Sequence, residues 1–303
     1  MTNAKQVPTR DTWSKLVHPS LGEGGSLGEG RPRVSYFALL SWAVIAVFFV
    51  LTLAPFTWLL LSSLKTNQEL FSNPFGLPSH WSFTNYISAF SAHPLGIYLR
   101  NSVVAAVAST FLVLVAASLA SYALIHKFRF WRWTYVFLMF GLLLPVNAFI
   151  APIFYLIHWL GLYNSVWGVA LVYAGVSFPR GFLVIKTYMD TIPGEILEAG
   201  RIDGASFHRI FFQIVLPITL PGIVTAAIFL IITAWNELLF ASILTQDQSS
   251  QTIQVGVRYF LSTYSANYPQ AFAATVMAII PTVLVYIFLS GRIIQGMTAG
   301  SLK

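Results

Sequence analysis

"EAGRIDGASFHRIFFQIVLP", residues 198–217, runs from charge through a glycine at 204 into an apolar stretch that ends in Leu216 and Pro217. Asp190, Glu195, Glu198 and Asp203, four of the ten acidic residues in the chain, cluster at its start. Pro193 suits a first helical position, and Glu195 falls in the first turn, where the positive end of a helix favours a carboxylate. The spacing predicts a short helix over 193–202, about 15 Å long at the usual rise per residue. Gly204 then permits a backbone conformation closed to other residues, and Ser206 can cap a second short helix. The expected unit is a helix, a tight turn and a helix. What it is for depends on what lies to either side.

Both flanks are apolar. Of 303 residues, 56% are hydrophobic and 9% charged, with a mean hydropathy of +0.72, well above what a globular domain needs. A hydrocarbon core of about 30 Å takes roughly 20 helical residues to cross. Six stretches meet that length: 34–62, 101–125, 134–158, 165–186, 214–240 and 271–290. Their apolar runs are continuous rather than alternating, which argues against a barrel. The expectation is an all-α integral membrane protein with six transmembrane helices. Residues 1–33, with SLGEG doubled at 20 and 26, form a flexible polar tail without the apolar core of a cleavable signal. Residues 34–96 supply the first helix and a loop, 97–292 a core of five helices containing the loop 190–213, and 293–303 a second tail.

Lysine and arginine set the orientation. With the amino terminus in the cytosol, thirteen fall on the inner side and only Lys65, Arg100 and Arg258 on the outer side, which places both termini in the cytosol. The same asymmetry accounts for the net charge of +7. Basic residues that flank spans point to lipid as a partner, not to nucleic acid. There is no cysteine, and the six histidines are scattered without an HExxH pair, so neither a metal site nor a catalytic centre is expected. The GxxxxGK[ST] phosphate loop is absent, so this chain carries no ATP chemistry.

Polar groups inside the spans form a second set of candidates, for a substrate pathway or a gate: Asn147, Arg180, Trp235, Asn236 and Glu237. An arginine at the centre of a span costs about 2.5–3.5 kcal/mol on insertion scales, unless it snorkels or pairs. Arg180 can snorkel toward the cytosolic face with Lys186, and that reading is preferred. Asn147 lies between Pro145 and Pro152 in the third span, and Pro217 and Pro221 bend the fifth. "AWNELLFA", 234–241, offers two readings. Trp235, Asn236 and Glu237 bind hydroxyl groups in an outer cavity, or Trp235 belongs to the interfacial belt with Glu237 wet or holding a gate closed; the second is preferred. Loops 63–100 and 241–270, rich in aromatics, suit the docking of a soluble protein that delivers a solute.

The spacing Glu198-Ala199-Gly200, three residues, Gly204, nine residues, Ile214, one residue, Leu216-Pro217 resembles the signature loop of permease subunits in binding-protein-dependent ABC importers. Gly200 stands where that family usually has its second alanine, loosening the helix by up to about 1 kcal/mol. "SSLKTNQELF", "WSFTNY", "YLRNSVVAA", "IDGAS", "AWNELLFA" and "GMTAGSLK" resemble the carbohydrate-uptake branch, in particular the maltose-type second permease, from about residue 50 onward. The resemblance implies a type I ABC importer permease fold in the bacterial cytoplasmic (inner) membrane. It implies that Glu198, Ala199, Gly200, Asp203, Gly204 and Ala205 couple to an ATPase subunit, their small face admitting its surface, and that Gly296, Thr298 and Gly300 reach the ATPase dimer interface. A second homologous permease, two ATPase subunits and an extracytosolic solute-binding protein would complete the assembly. ATP and Mg would be bound by those partners, and no cofactor by this chain. The implied function is alternating-access import of a sugar or oligosaccharide. The rivals are an importer of another polar solute such as a glycerol phosphate, a stand-alone secondary transporter, for which no repeat across the halves is visible, and a membrane enzyme, for which no convergent groups are visible.

Overall fold

The computed structural model describes residues 36–261 and 267–299, apart from the side chains of 36–39, 261 and 289–299. The expected tail 1–33 and Gly300 lie outside the described residues, as do the side chains at 296 and 298. Two compact units, 1–53 and 54–303, divide the chain within helix α1, Tyr36–Ser62. The described part of the first unit is wholly helical. Every described element of the second unit is helical too, with no strand among the described residues.

In chain order the second unit continues through α2 (Asn67–Ser72), α3 (Thr84–Ala92) and the long α4 (Leu95–Ile125). Next come α5 (Trp131–Phe140), a 3-10 turn at Val146–Phe149, α6 (Ile150–Trp159) and α7 (Val166–Met189). Then follow α8 (Gly194–Ile202), α9 (Phe207–Ile210), a π-type turn at Phe211–Val215 and α10 (Leu216–Trp235). Last are α11 (Leu239–Leu244), α12 (Ile253–Val257), a 3-10 turn at Arg258–Leu261 and α13 (Tyr268–Ala299).

Among the described residues, five stretches are long and apolar enough to cross a membrane: Leu40–Ser62, Leu95–Ile125, Val166–Met189, Phe207–Trp235 and Tyr268–Phe288. They correspond to the first, second, fourth, fifth and sixth expected spans. The third, expected as one helix over 134–158, is instead two ten-residue helices joined by a turn. The cause is Pro145, which has no N–H to donate and which pushes the residue before it out of helical geometry. Pro152 does no such damage, because it sits in the first turn of α6, where a missing N–H goes unnoticed. The fifth span also ends five residues before its expected limit, at Trp235, and the chain starts a new helix at Leu239.

The packing follows from the absence of a hydrophobic drive between helices in lipid: close contact requires small side chains. On α4 the buried positions include Ala105, Ala106, Ser109, Thr110, Ala117, Ser118 and Ser121. They let α7 and α10 lie against it. Val113 and Ala117 from α4, Phe182 and Ile185 from α7, and Ala226 and Leu230 from α10 build one buried cluster, which continues through Leu197, Ile210 and Phe211 into the segment quoted above.

Candidate functional site: a capped elbow between two spans

Pro193 is the N-cap of α8, Glu195 lies in its first turn and Arg201 in its last, so both helix ends carry the charge that their partial dipoles favour. The helix stops in a Schellman motif. Ala205 N donates to Gly200 O and Gly204 N to Arg201 O, each at 3.0 Å, with Gly204 at φ +75°. Only glycine takes that backbone shape without strain. Ser206 then caps α9 by accepting from Arg209 N at 3.3 Å. Leu216 N reaches back to Phe211 O, which opens the chain into a π-type turn where Pro217 cannot donate to the preceding turn. The expected helix, turn and helix is present, and it is continuous with α10.

Two faces of the elbow differ. Leu197 and Gly200 face inward, whereas Glu198, Ala199, Ile202, Asp203 and Gly204 are exposed and Ala205 is half-buried against the core. The expectation that Gly200 belongs to an outward small face is corrected. A Cβ at position 200 would stand 3.0 Å from the Ile214 Cδ1 and 3.5 Å from Ile210 Cγ1, so the glycine lets α8 settle on α9 and the π-type turn. Ile202 is 85% exposed, and the carboxylates of Glu198 and Asp203 have no hydrogen-bond or ion-pair partner among the described residues.

Three residues that hold the elbow escaped the sequence reading. Tyr122 Oη donates to Phe207 O at 2.8 Å, and Arg201 Nη2 donates to His126 Nδ1 at 2.9 Å. The rings of Tyr122, His126 and Phe207 pack within 5.1 Å of one another, centre to centre. A guanidinium has only donors, so this contact requires neutral His126 with its proton on Nε2. Burial first, and the Arg201 charge second, hold His126 below the ordinary histidine value. The available signal was the i, i+4 pair Tyr122 and His126 at the end of a span, which puts both on one face. At the end of α7, Lys186 forms an ion pair with Asp190 just before the elbow begins.

The intramembrane candidates do not come together. Arg180 is exposed, with no ion-pair partner among the described residues, and Lys186, with which it was expected to snorkel, is committed to Asp190. Asn147 is exposed in the broken third segment, beside an apolar groove of about 460 Å³ lined by Leu144, Val146, Phe149, Leu171, Gly175 and Pro179, but is not among the lining residues. Trp235 is not a belt residue: it is 6% exposed, and its Nε1 donates to Ala278 O at 3.0 Å. Glu237 is not simply wet. Its carboxylate accepts from Phe240 N at 3.0 Å and Ala241 N at 3.3 Å, capping α11, which is why the fifth span stops early. Asn236 is exposed, and its Nδ2 donates to Ile232 O within its own helix.

This end of the bundle is cross-tied. Asn164, at φ +55°, accepts through Oδ1 from Gln246 N at 2.8 Å, Asp247 N at 3.0 Å and Ser250 Oγ at 2.6 Å. Asn101 Nδ2 donates to Ser249 O and Gln251 O, and Ser102 Oγ accepts from Ile253 N. Tyr173 Oη donates to Glu237 O.

A bundle of apolar helices with an outward-facing elbow between two spans defines the class: a polytopic membrane protein. Residues 112–298 match the family described as binding-protein-dependent transport system inner membrane component, and the chain belongs to that family. It is an ABC transporter permease of the inner membrane with several membrane-spanning helices. Among similar proteins, a diacetylchitobiose uptake system permease protein of Streptomyces coelicolor is 33% identical over 88% of this chain and 89% of its own length. An arabinooligosaccharides transport system permease protein of Halalkalibacterium halodurans is 29% identical over 90% of this chain and 98% of its own length. A solved bacterial ABC transporter involved in the import of the acidic polysaccharide alginate contains a chain of the same fold, with a TM-score of 0.76 and 21% identity over 84% of this chain and 95% of that one.

Proposed function

We propose that this chain is a transmembrane subunit of an ATP-driven importer for a sugar or oligosaccharide, working by alternating access. It crosses the membrane six times, the broken segment 131–159 counting as one crossing, with both termini in the cytosol. A second permease closes the pathway, two ATPase subunits bind ATP and Mg, and an extracytosolic binding protein delivers the solute. The observation that carries the reading is the bare face of α8: Glu198, Ala199, Ile202 and Asp203 are exposed on a helix that a Schellman turn closes and that is tied into two spans. A rigid helix held in this way passes displacement from a docked partner into α7 and α10, which a loose loop would absorb. The sugar follows from relatives named for diacetylchitobiose and arabinooligosaccharides, and a solved structure of the fold holds an alginate-bound periplasmic protein. Arg180 fits the same reading. A bare charge near mid-membrane costs several kcal/mol against lipid, so it faces the second permease or the watery pathway.

Two measurements test this. Solubilised from its native membrane, the chain brings ATPase subunits with it, and Glu198→Lys leaves insertion intact while separating ATP hydrolysis from uptake. Full uptake by that variant overturns the coupling role. Growth of a deletion strain on single carbon sources, among them diacetylchitobiose, arabino-oligosaccharides and alginate oligosaccharides, identifies the solute. Unimpaired growth on every saccharide counts against a sugar.

A further inference from the structure

At the end of α4 opposite the elbow, α3 has two unlike faces. One is pinned: Asn85 Nδ2 donates to Ser63 O and Lys65 O at 2.8 Å each, Tyr86 Oη lies 2.7 Å from Ser63 Oγ, and Ala89 is fully buried against Leu95, Tyr98 and α13. The other is bare and apolar. Phe83, Ile87 and Phe90 recur at i, i+4 and i+7, and are 65%, 67% and 51% exposed; Trp81, just before them, is 62% exposed. A helix in open water, presenting such a face next to the solvent, would be a liability to its own solubility.

The surroundings of that face say what covers it. The Phe90 ring stands where a Cβ on Gly96 would meet it at 3.5 Å, and Gly96 begins the exposed stripe of α4 that continues through Val103, Val107 and Phe111. The bare face of α3 therefore leads into the bare face of a spanning helix, broken only by Arg100. Residues 70–99 contain no Asp, Glu, Lys or Arg, so this stretch carries no charge to the lipid boundary. Arg100, exposed one turn into the span, has the reach to place its guanidinium among headgroups.

We propose that α3 is an interfacial helix, lying in the plane of the bilayer surface with Trp81, Phe83, Ile87 and Phe90 sunk into the boundary between headgroups and acyl chains. Such helices bury their apolar side about 5–10 Å deep. Pinned to Ser63 and Lys65 on one side and to lipid on the other, α3 fixes the height of α4 in the membrane. The inference is independent of which solute is carried.

The chain has no cysteine, so single cysteines can be spin-labelled without a background. Ile87→Cys and Phe90→Cys, with Phe111→Cys as an in-span reference and Asp203→Cys as an aqueous one, are compared in nanodiscs of phosphatidylethanolamine and phosphatidylglycerol. The ratio of oxygen to nickel-chelate collision at 87 and 90 is expected to shift from the value at 203 toward that at 111. A ratio equal to that at 203 overturns the proposal. So does protection that appears only after a second permease or a binding protein is added, which assigns the face to protein. As a check free of labels, lipids brominated near the headgroup end quench part of the tryptophan emission, and Trp81→Phe lessens that part. Identical quenching in the two proteins also overturns it.

Discussion

The two ends of the helix bundle are held together by different physics. Around Asn164 and Trp235 the chain is stitched by side chains bonding to backbone across distant segments: Asn164 to 246–250, Asn101 to Ser249 and Gln251, Trp235 to Ala278. The elbow at 193–215 has one such tie, Tyr122 to Phe207, and one between side chains, Arg201 to His126, and otherwise rests on the apolar packing of Leu197 and Gly200 with Ile210 and Ile214. Directional bonds fix one geometry, whereas apolar contact tolerates sliding. The difference is what the proposed coupling role asks for: a fixed surface at one end and a lever at the other.

Substitutions at each end sharpen or break that contrast. Asn164→Ala removes three accepted bonds and leaves alanine at a left-handed position, for an expected loss of about 3 kcal/mol, read as a lower thermal unfolding midpoint of the whole chain in detergent. Gly200→Leu drives a side chain into Ile214 and costs about 2 kcal/mol, but locally: amide exchange quickens over 194–202 while the global midpoint moves little. Equal drops in midpoint for these two variants would erase the distinction. Gly204→Val strains the left-handed residue of the Schellman turn by about 1–2 kcal/mol, and co-purification with the ATPase measures whether α8 keeps its pose.

The smallest effect concerns pH. Because His126 is held below its ordinary value, the folded elbow favours the neutral ring, so its contribution is present above about 6.5 and declines as pH falls from there toward the lowered value. The midpoint of the wild-type chain is expected to fall more steeply over that window than that of His126→Phe. Parallel curves would show that the ring carries no such link.

Much of this was legible in the sequence because it depends on local rules. The glycine turn at 204, the serine cap at 206 and most of the span limits follow from backbone sterics and apolar run length. What failed depended on tertiary context. Gly200 reads as an open small face until Ile214 folds onto it, and Trp235 reads as a belt residue until α13 supplies the Ala278 carbonyl. Pro145 and Pro152 look alike in sequence and act oppositely, since one falls within a turn and the other in a first helical turn. Tyr122 and His126 carried a spacing signal, but their partner lies on a segment some eighty residues away, and nothing local points to it.

The π-type turn at Phe211–Val215 holds one residue more than an α turn would. Tightening it to α geometry spins everything beyond by about 100° and advances it by about 1.5 Å, while only one turn of hydrogen bonds is exchanged. Such a spin would lift Ala226 and Leu230 off α4 and α7, so the packing of the span that follows acts as a lock that keeps the wide turn from closing.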